Sequence, residues 1–430
     1  MQNIKACLIA LICAIIDFGY KYSPQEKIES TESKDQEMFV DRLMVQSVEK
    51  FKKFPVIAIL GPRQSGKTTF AKHCFSNYAF VSFEQESVRE EAQQDPVKFF
   101  KKYENEYGMV IDEFQYVPEI LSRIKFISDQ LDRPGYFVLT GSSNFLMNEH
   151  ITQSLAGRVG ILTMLPLSIS ELQDAQLLSN VDDAILRGGY PRIYSAKVDP
   201  DEFYSSYIHT YVERDVRQLS NLVDLQQFKK FMKLCAGRVG QLLNVSDLAM
   251  NCGISLKTTE RWLSILQASY VVFLLQPYHV NFNKRINKQA KLYFYDTGVA
   301  CSLVDIKDAS SLSHSYMYGH LFENFILADL MKQYSNRGTQ APLYFWRDRN
   351  GRVEIDCLIN QGYRLIPVEI KSSMTIRNEY FDGLLKFQEI SQDPNAKNYV
   401  IYAGDTTEQR NPGTMVDWKS FGMFVDMIKS

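Results

Sequence analysis

Gly61, Pro62, Arg63, Gln64, Ser65, Gly66, Lys67, Thr68 and Thr69 run consecutively and fit the spacing G-x-x-x-x-G-K-[ST] without departure. Glycines at these positions let the backbone curl until several N–H groups face one anion. Lys67 then adds a point charge for the β- and γ-phosphates, and the Thr68 hydroxyl reaches a Mg²⁺ ion. Further along stand Asp112 and Glu113, adjacent acids after an apolar run. Asp112 suits Mg²⁺ held through water, and Glu113 suits orienting and deprotonating an attacking water. ATP and Mg²⁺ are the cofactors this pair of motifs calls for. A third group, Glu323, Asp356, Glu369 and Lys371, lies in the last third of the chain. Two or three carboxylates can hold a divalent ion in an oxygen shell, with Asp356 and Glu369 as the metal ligands. The lysine would orient or activate a water.

Val56 to Leu60, a continuous apolar run rich in β-branched residues, predicts a strand buried on both faces that feeds the loop. A helical pattern follows the loop, so its N-terminal dipole also faces the phosphates. Tyr107 to Asp112 predicts a second strand with the two acids at its C-terminal end, where ligands sit in parallel α/β sheets. Ala79 to Phe83 lies between these two. Tyr136 to Ser142 follows them and runs on into Ser143 and Asn144. In the last third, Gly319 to Leu330 predicts an amphipathic helix with Glu323 on its apolar face, costly unless paired or metal-bound. Val353, Ile355, Cys357 and Ile359 alternate, which leaves Asp356 on the other face. Ile366, Val368 and Ile370 do the same for Glu369 and Lys371.

Between these regions, Arg187-Gly-Gly-Tyr-Pro191 is turn chemistry and marks a boundary. Tyr207 to Arg217, with Glu213, Arg214 and Asp215, predicts a charged helix. In the segment Asn244 to Leu266, Ser246 and Ser255 are the expected caps and Gly253 the turn of a helix-turn-helix. Leu248, Ala249, Ile254, Trp262 and Leu266 pack inward, while Lys257, Thr258 and Arg261 face out. Two strands (Tyr270 to Leu275 and Leu292 to Tyr295) and the basic residues Lys284, Arg285, Lys288 and Lys291 complete a winged-helix outline. Such a module serves DNA or the packing of subunits, and its fold does not decide which.

At 430 residues the chain has room for about three domains. Its 45% hydrophobic and 23% charged residues exclude collagen-like and wholly disordered classes. A formal charge of −2 gives no global basic field, so any nucleic-acid contact must be local. The seven cysteines are odd in number and never spaced C-x-x-C, which argues against a disulfide framework and for a reducing, cytoplasmic setting. Ala6 to Ile16 is apolar but shorter than the roughly 20 residues of a membrane span. Residues 1–37 read as a dispensable extension from an upstream start, or as a short membrane-associating tail.

The order of strands, phosphate loop and paired acids resembles the AAA+ branch of P-loop ATPases. The resemblance implies that Ser142, Ser143 or Asn144 senses the γ-phosphate, and that Arg158, in Ser154-Leu-Ala-Gly-Arg158, completes a neighbour's site or its own. It also implies, by analogy, a homo-oligomer. The helix acid, hairpin Asp and E-x-K of the last third resemble the PD-(D/E)XK nuclease core, with Ile355 where that pattern carries Pro. This fits a live metal site or an inactive relic. Together with Gly188-Gly-Tyr-Pro191, Tyr293 to Gly298 and Phe345 to Lys371, the chain resembles a prokaryotic family of AAA+ ATPases with a C-terminal domain of unknown function.

The expected fold class is α/β: an AAA+ P-loop parallel sheet with helices (38–187), a helical and winged-helix module (188–305), and an α/β nuclease-like domain (306–430). The expected function is Mg²⁺-dependent ATP hydrolysis coupled to a nuclease-like, DNA-acting end. The alternative is a nucleotide-switched scaffold whose inactive C-terminal domain binds a protein partner. Besides ATP, DNA and a protein are therefore the partners left open.

Overall fold

The computed structural model describes residues 38–131, 133–142, 151, 153–211, 225–279, 289–348, 350–362, 364–393 and 397–429. The expectations for residues 1–37, Ser143, Asn144, Glu213, Arg214, Asp215, Lys284, Arg285 and Lys288 fall outside them. Among the described residues no helix is long and apolar enough to cross a membrane, and Cys74, Cys235, Cys252, Cys301 and Cys357 are free.

Strands β1 (Val56–Gly61), β2 (Ala79–Ser82), β3 (Met109–Asp112), β4 (Phe137–Ser142) and β5 (Val159–Thr163) form one parallel sheet in the order β2-β3-β4-β1-β5. Every residue of β1 and β3 is buried, the cost-free state for strands with helices on both faces. Their alternation feeds two apolar layers. Val56, Ala58 and Leu60 pack with Ile111 and Leu139 on one side; Ile57 and Ile59 pack with Phe70, Val110 and Val138 on the other.

After four helices between Ile169 and Tyr211 come three more (Leu225–Ala236, Val245–Cys252 and Leu256–Ala268), then an antiparallel pair, β6 (Val272–Pro277) and β7 (Lys291–Phe294). Gly253 ends the middle helix in the left-handed conformation (φ 77°), and the Ser255 side chain caps the next by accepting from Thr258 N. Trp262 is buried against Phe228 and Phe231. The cap of the middle helix differs from expectation. Asn244, not Ser246, accepts from Asp247 N, so the helix starts at Val245.

Strands β8 (Leu343–Arg347), β9 (Glu354–Asn360), β10 (Leu365–Lys371), β11 (Tyr399–Tyr402), β12 (Glu408–Gln409) and β13 (Thr414–Asp417) build the C-terminal sheet. Because β6 pairs with β8, the hairpin and this sheet are continuous, in the order β12-β13-β11-β10-β9-β8-β6-β7. The border expected at residue 305 is thus crossed by backbone hydrogen bonding.

The helix expected at Gly319 runs from Tyr318 to Asn336, 19 residues, about 28 Å at 1.5 Å per residue. It is not amphipathic. Glu323, Asn324, Asp329, Lys332, Gln333 and Asn336 are all buried alongside its apolar residues. One end lies on the C-terminal sheet. The other is held by the ATPase sheet's margin: Ser335 Oγ donates to Thr163 O (2.5 Å), Lys332 Nζ to Leu167 O (3.1 Å), and Asp329 Oδ1 accepts from Ile169 N (2.7 Å). A helix wedged between two bodies needs polar residues all round that reach partners, and these do apart from the Asn336 amide nitrogen, which is buried without one among the described residues.

Candidate nucleotide site and carboxylate–lysine cluster

Gly61 ends β1, and the loop that follows turns through two left-handed residues, Gln64 (φ 60°) and Gly66 (φ 91°), before a helix starts at Lys67. Lys67 is buried and its Nζ donates to Pro62 O at 2.6 Å, across the mouth of the loop. The sheet order brings β3 beside β4 and β1 beyond it, so Asp112 meets the loop helix. Asp112 Oδ1 accepts from Thr68 Oγ1 (2.9 Å) and from Thr140 Oγ1, while Oδ2 accepts from Ser82 Oγ (3.1 Å). Thr68 and Asp112 together could hold a divalent ion. The hard hydroxyl and carboxylate oxygens are the donor set Mg²⁺ takes.

Glu113 has the left-handed backbone (φ 53°), which costs a non-glycine residue about 1–3 kcal/mol and clusters at functional sites. Burial pushes its carboxyl above the usual range, with Asp112 adding to the rise. Lys67, Arg63 and the Gln115 amide, which donates to Glu113 Oε2, oppose it. Ser142 Oγ, at the end of β4, is buried without a hydrogen-bond partner among the described residues. That orphaned hydroxyl is available to a ligand.

Arg158 lies elsewhere. Its carbonyl accepts from Val56 N, at the start of β1, and the loop begins at the other end of that strand. Five strand steps at about 3.3 Å put roughly 17 Å between them. Its guanidinium forks onto Asp129 (Nε–Oδ1 2.5 Å, Nη2–Oδ2 3.0 Å). Of the two expectations for Arg158, completion of its own chain's site is ruled out by this distance.

Other contributors were not legible in the motifs. Arg42 is buried and donates to Ser65 O (3.0 Å), Leu165 O (2.7 Å) and Glu171 Oε1 (2.9 Å), tying the phosphate loop to the helix Ile169–Asp174. A cleft of about 570 Å³ opens beside it, lined by Phe39, Leu43, Gln46, His73 and Glu171. The Gly188-Gly-Tyr-Pro191 stretch, expected to be a boundary, is a joint. Asp296 accepts from Gly189 N (2.7 Å) and Tyr204 Oη (2.7 Å), and Gly189 O accepts from Leu167 N (2.7 Å). Pro191 stands 3.6 Å from where a Cβ on Gly66 would be. Arg192, next to it, is exposed with no ion pair among the described residues.

The third group comes together as well. The long helix brings Glu323, β9 brings Asp356 and β10 brings Glu369 and Lys371. Lys371 Nζ is 2.5 Å from Glu369 Oε1, and Asp356 Oδ2 accepts from Ile370 N (2.9 Å). Glu369 Oε2 is buried without a partner among the described residues. Burial, then Glu369 and Glu323, push the Asp356 carboxyl well above its usual range, and Glu369 is raised mainly by burial. Glu323 is lowered despite its burial, by His320, Lys291 and Tyr293.

Lys291 was expected on an outward basic wing. It is instead buried on β7 inside this cluster, 2.5 Å from Glu354 Oε1 and 3.4 Å from Glu323 Oε1. Tyr293 Oη donates to Glu323 Oε1 at 2.5 Å. Lys257 and Arg261 are exposed on the second helix of the helix-turn-helix, as expected. Among the described residues no set of three or more Asp, Glu, His or Cys side chains stands in metal-holding geometry.

Residues 53–173 match a family described as an AAA domain, residues 178–310 a domain of unknown function (DUF8612) and residues 318–421 another domain of unknown function (DUF4143). An uncharacterized protein of Mycobacterium tuberculosis is 28% identical over 325 residues, 75% of this chain and 71% of its own length. One from Methanocaldococcus jannaschii is 23% identical over 335 residues, 70% of this chain and 71% of its own. Among solved structures, the Walker-type ATPase of Pyrococcus abyssi is 16% identical, covering 62% of this chain and 97% of that one at a TM-score of 0.44. The family match to residues 53–173, on a parallel sheet with the phosphate loop at the end of β1, makes this segment an AAA-type P-loop ATPase domain.

Proposed function

We propose that the chain hydrolyses ATP in a Mg²⁺-dependent reaction and uses the nucleotide state to set the position of its C-terminal domain. The observation that carries the first half is the Thr68–Asp112 contact at the mouth of the phosphate loop. Nucleotide phosphates would lie on the Gly61–Thr69 backbone, with Lys67 turning from Pro62 O toward them. Thr68 and Asp112 would hold the ion, which supplies charge neutralisation on the β- and γ-oxygens when bound. Glu113 orients and deprotonates the attacking water, and its raised proton affinity suits a base. Ser142 Oγ reads the γ-phosphate. The cleft beside Arg42 takes the nucleoside. Arg158 serves a neighbouring copy, and Arg192, exposed and next to the Pro191 that packs near Gly66, serves the loop of its own chain.

The long helix supports the second half, since it is hydrogen-bonded to the ATPase margin at Thr163, Leu167 and Ile169 and carries Glu323 at its other end. A DNA-acting, nuclease-like output is the second reading. It is favoured by the gathering of Glu323, Asp356, Glu369 and Lys371 and by the exposed Lys257 and Arg261. The test is ATP turnover by the full chain with Mg²⁺, with and without single- and double-stranded DNA, beside Glu113→Gln. The variant is expected to keep ATP binding and lose turnover by about 10²-fold or more. Unchanged turnover in Glu113→Gln would refute the assignment. Stimulation by DNA would bring the second reading to the front.

A further inference from the structure

The carboxylates of the C-terminal cluster arrive from the long helix (Glu323), β9 (Glu354, Asp356) and β10 (Glu369), and each already meets a donor of the chain. Lys371 Nζ holds Glu369 Oε1, the Ile370 amide holds Asp356 Oδ2, and Tyr293 Oη holds Glu323 Oε1. Lys291 stands between Glu354 and Glu323, at 2.5 and 3.4 Å. It is 5% exposed, and its ammonium lies over the Phe345 ring, 5.5 Å from the ring centre. A buried ammonium bridging two carboxylates from different elements performs the electrostatic task of a cation. Coulomb repulsion between that ammonium and a divalent ion a few ångströms away is large in such surroundings.

We infer that the Lys291 ammonium is the resident cation of this cluster, occupying the place between Glu323 and Glu354 that a divalent metal would take. The hairpin strand β7 thereby plugs the site, and the cluster is a metal-free ionic lock between the long helix and the C-terminal sheet. Two consequences distinguish a lock from a metal centre. The wild-type protein does not need or notice divalent ions at this place. Removing the ammonium while keeping its volume takes away the cation that Glu323 and Glu354 share, leaving His320 at 3.9 Å from Glu323 and Arg347 at 3.5 Å from Glu354 on the flanks, and this pair, with Asp356 nearby, becomes a site for Mg²⁺ or Mn²⁺.

The inference deepens the switch reading of the C-terminal domain and does not depend on the ATP site. Its test is therefore run on the full chain without nucleotide, with turnover measured separately. Mn²⁺ binding is followed by the loss of the free-ion paramagnetic resonance signal in wild type, Lys291→Met, Lys291→Met/Glu354→Gln, Lys291→Arg and Asp356→Asn. Thermal melts are taken with Mn²⁺ and with EDTA. Lys291→Met is expected to bind Mn²⁺ at least tenfold more tightly than wild type and to melt higher with Mn²⁺ than with EDTA. The double variant and Lys291→Arg are expected to do neither. Mn²⁺ binding by wild type that Asp356→Asn abolishes would overturn the inference, since it would show a metal centre coexisting with Lys291. A Lys291→Met protein indifferent to Mn²⁺ in both assays would overturn it too. Should Lys291→Met fail to fold even with Mn²⁺, the wild-type and Asp356→Asn titrations decide by themselves: binding lost in the variant refutes, no binding in either supports.

Discussion

Asp329 lies on the long helix with its carboxylate against the ATPase margin. Its Oδ1 accepts from Ile169 N (2.7 Å) and its Oδ2 from Gln333 Nε2 (3.4 Å). Burial raises its pKa from 3.8 to about 6. Lys332, the Ile169 amide and Gln333 oppose that rise, and Glu171 adds to it. The group therefore binds its proton more tightly folded than unfolded. Its contribution to stability is fully present below about pH 3.8 and is lost as pH rises through about 6. A shift of about two units corresponds to roughly 3 kcal/mol over the whole window, of which about 1.4 kcal/mol falls between pH 5 and 7.5.

Asp329→Asn keeps an oxygen for the Ile169 amide and removes the titration. Urea denaturation of both proteins at pH 5, 6, 6.75 and 7.5 is the assay, read as the difference between them so that all other groups cancel. The variant is expected to gain about 1.4 kcal/mol on wild type from the first pH to the last, with most of the change before 6.75. A difference that stays flat across this range would refute the reasoning. It would mean that Asp329 is ionised throughout, or that the helix end is wet.

Arg42→Ala leaves Glu171 buried without its cation and strands the carbonyls of Ser65 and Leu165. A loss of about 3–5 kcal/mol in unfolding free energy is expected, with a weaker nucleotide affinity read by isothermal titration. Gly188 has φ 58°, and a Cβ there would stand 2.2 Å from Asp296 Oδ1 and 2.3 Å from Tyr204 Oη. Gly188→Ala is expected to cost about 2 kcal/mol or more in denaturant midpoint measurements, through left-handed strain and a broken joint together.

Much of the ATPase sheet was legible because its inner strands β1, β3 and β4 are buried on both faces. Val56 to Leu60 and Tyr136 to Leu139 are apolar without interruption, and a strand covered on both sides leaves that mark whatever its neighbours are. Contacts set by sheet order were not legible. Nothing in the spacing says that β4 lies between β1 and β3, so the Thr140 and Ser82 hydroxyls on Asp112 could not be read from it. The alternation held in β10, where Ile366, Val368 and Ile370 share one core, but not throughout β9: a register shift opposite Tyr344 to Trp346 puts Ile355 in one core with Leu358 and leaves Cys357 and Ile359 in the other, which residue spacing alone does not announce. The same logic failed for Lys291. A basic residue near a turn reads as solvated, and its burial arises only because β7 joins a sheet whose carboxylates come from residues 323 to 369. The long helix misled in the same way, since polar residues around a helix signal water unless a second body supplies their partners. Arg42 carries no signal at all in a single sequence, because one arginine before a strand has many uses.

The pairing of Gln276 with Tyr344 and Pro277 with Phe345, which joins β6 to β8, bears on how such chains can change over evolutionary time. It links the segments 178–310 and 318–421, which match two separate families. An exchange that replaced the second segment alone would have to supply a β8 whose edge fits the resident hairpin. One that removed the first would leave β8 with bare amide and carbonyl groups, an edge that recruits other strands. It would also take Lys291 from Glu323 and Glu354. The two segments are thus tied by backbone pairing, and exchanging either one alone breaks the sheet they share.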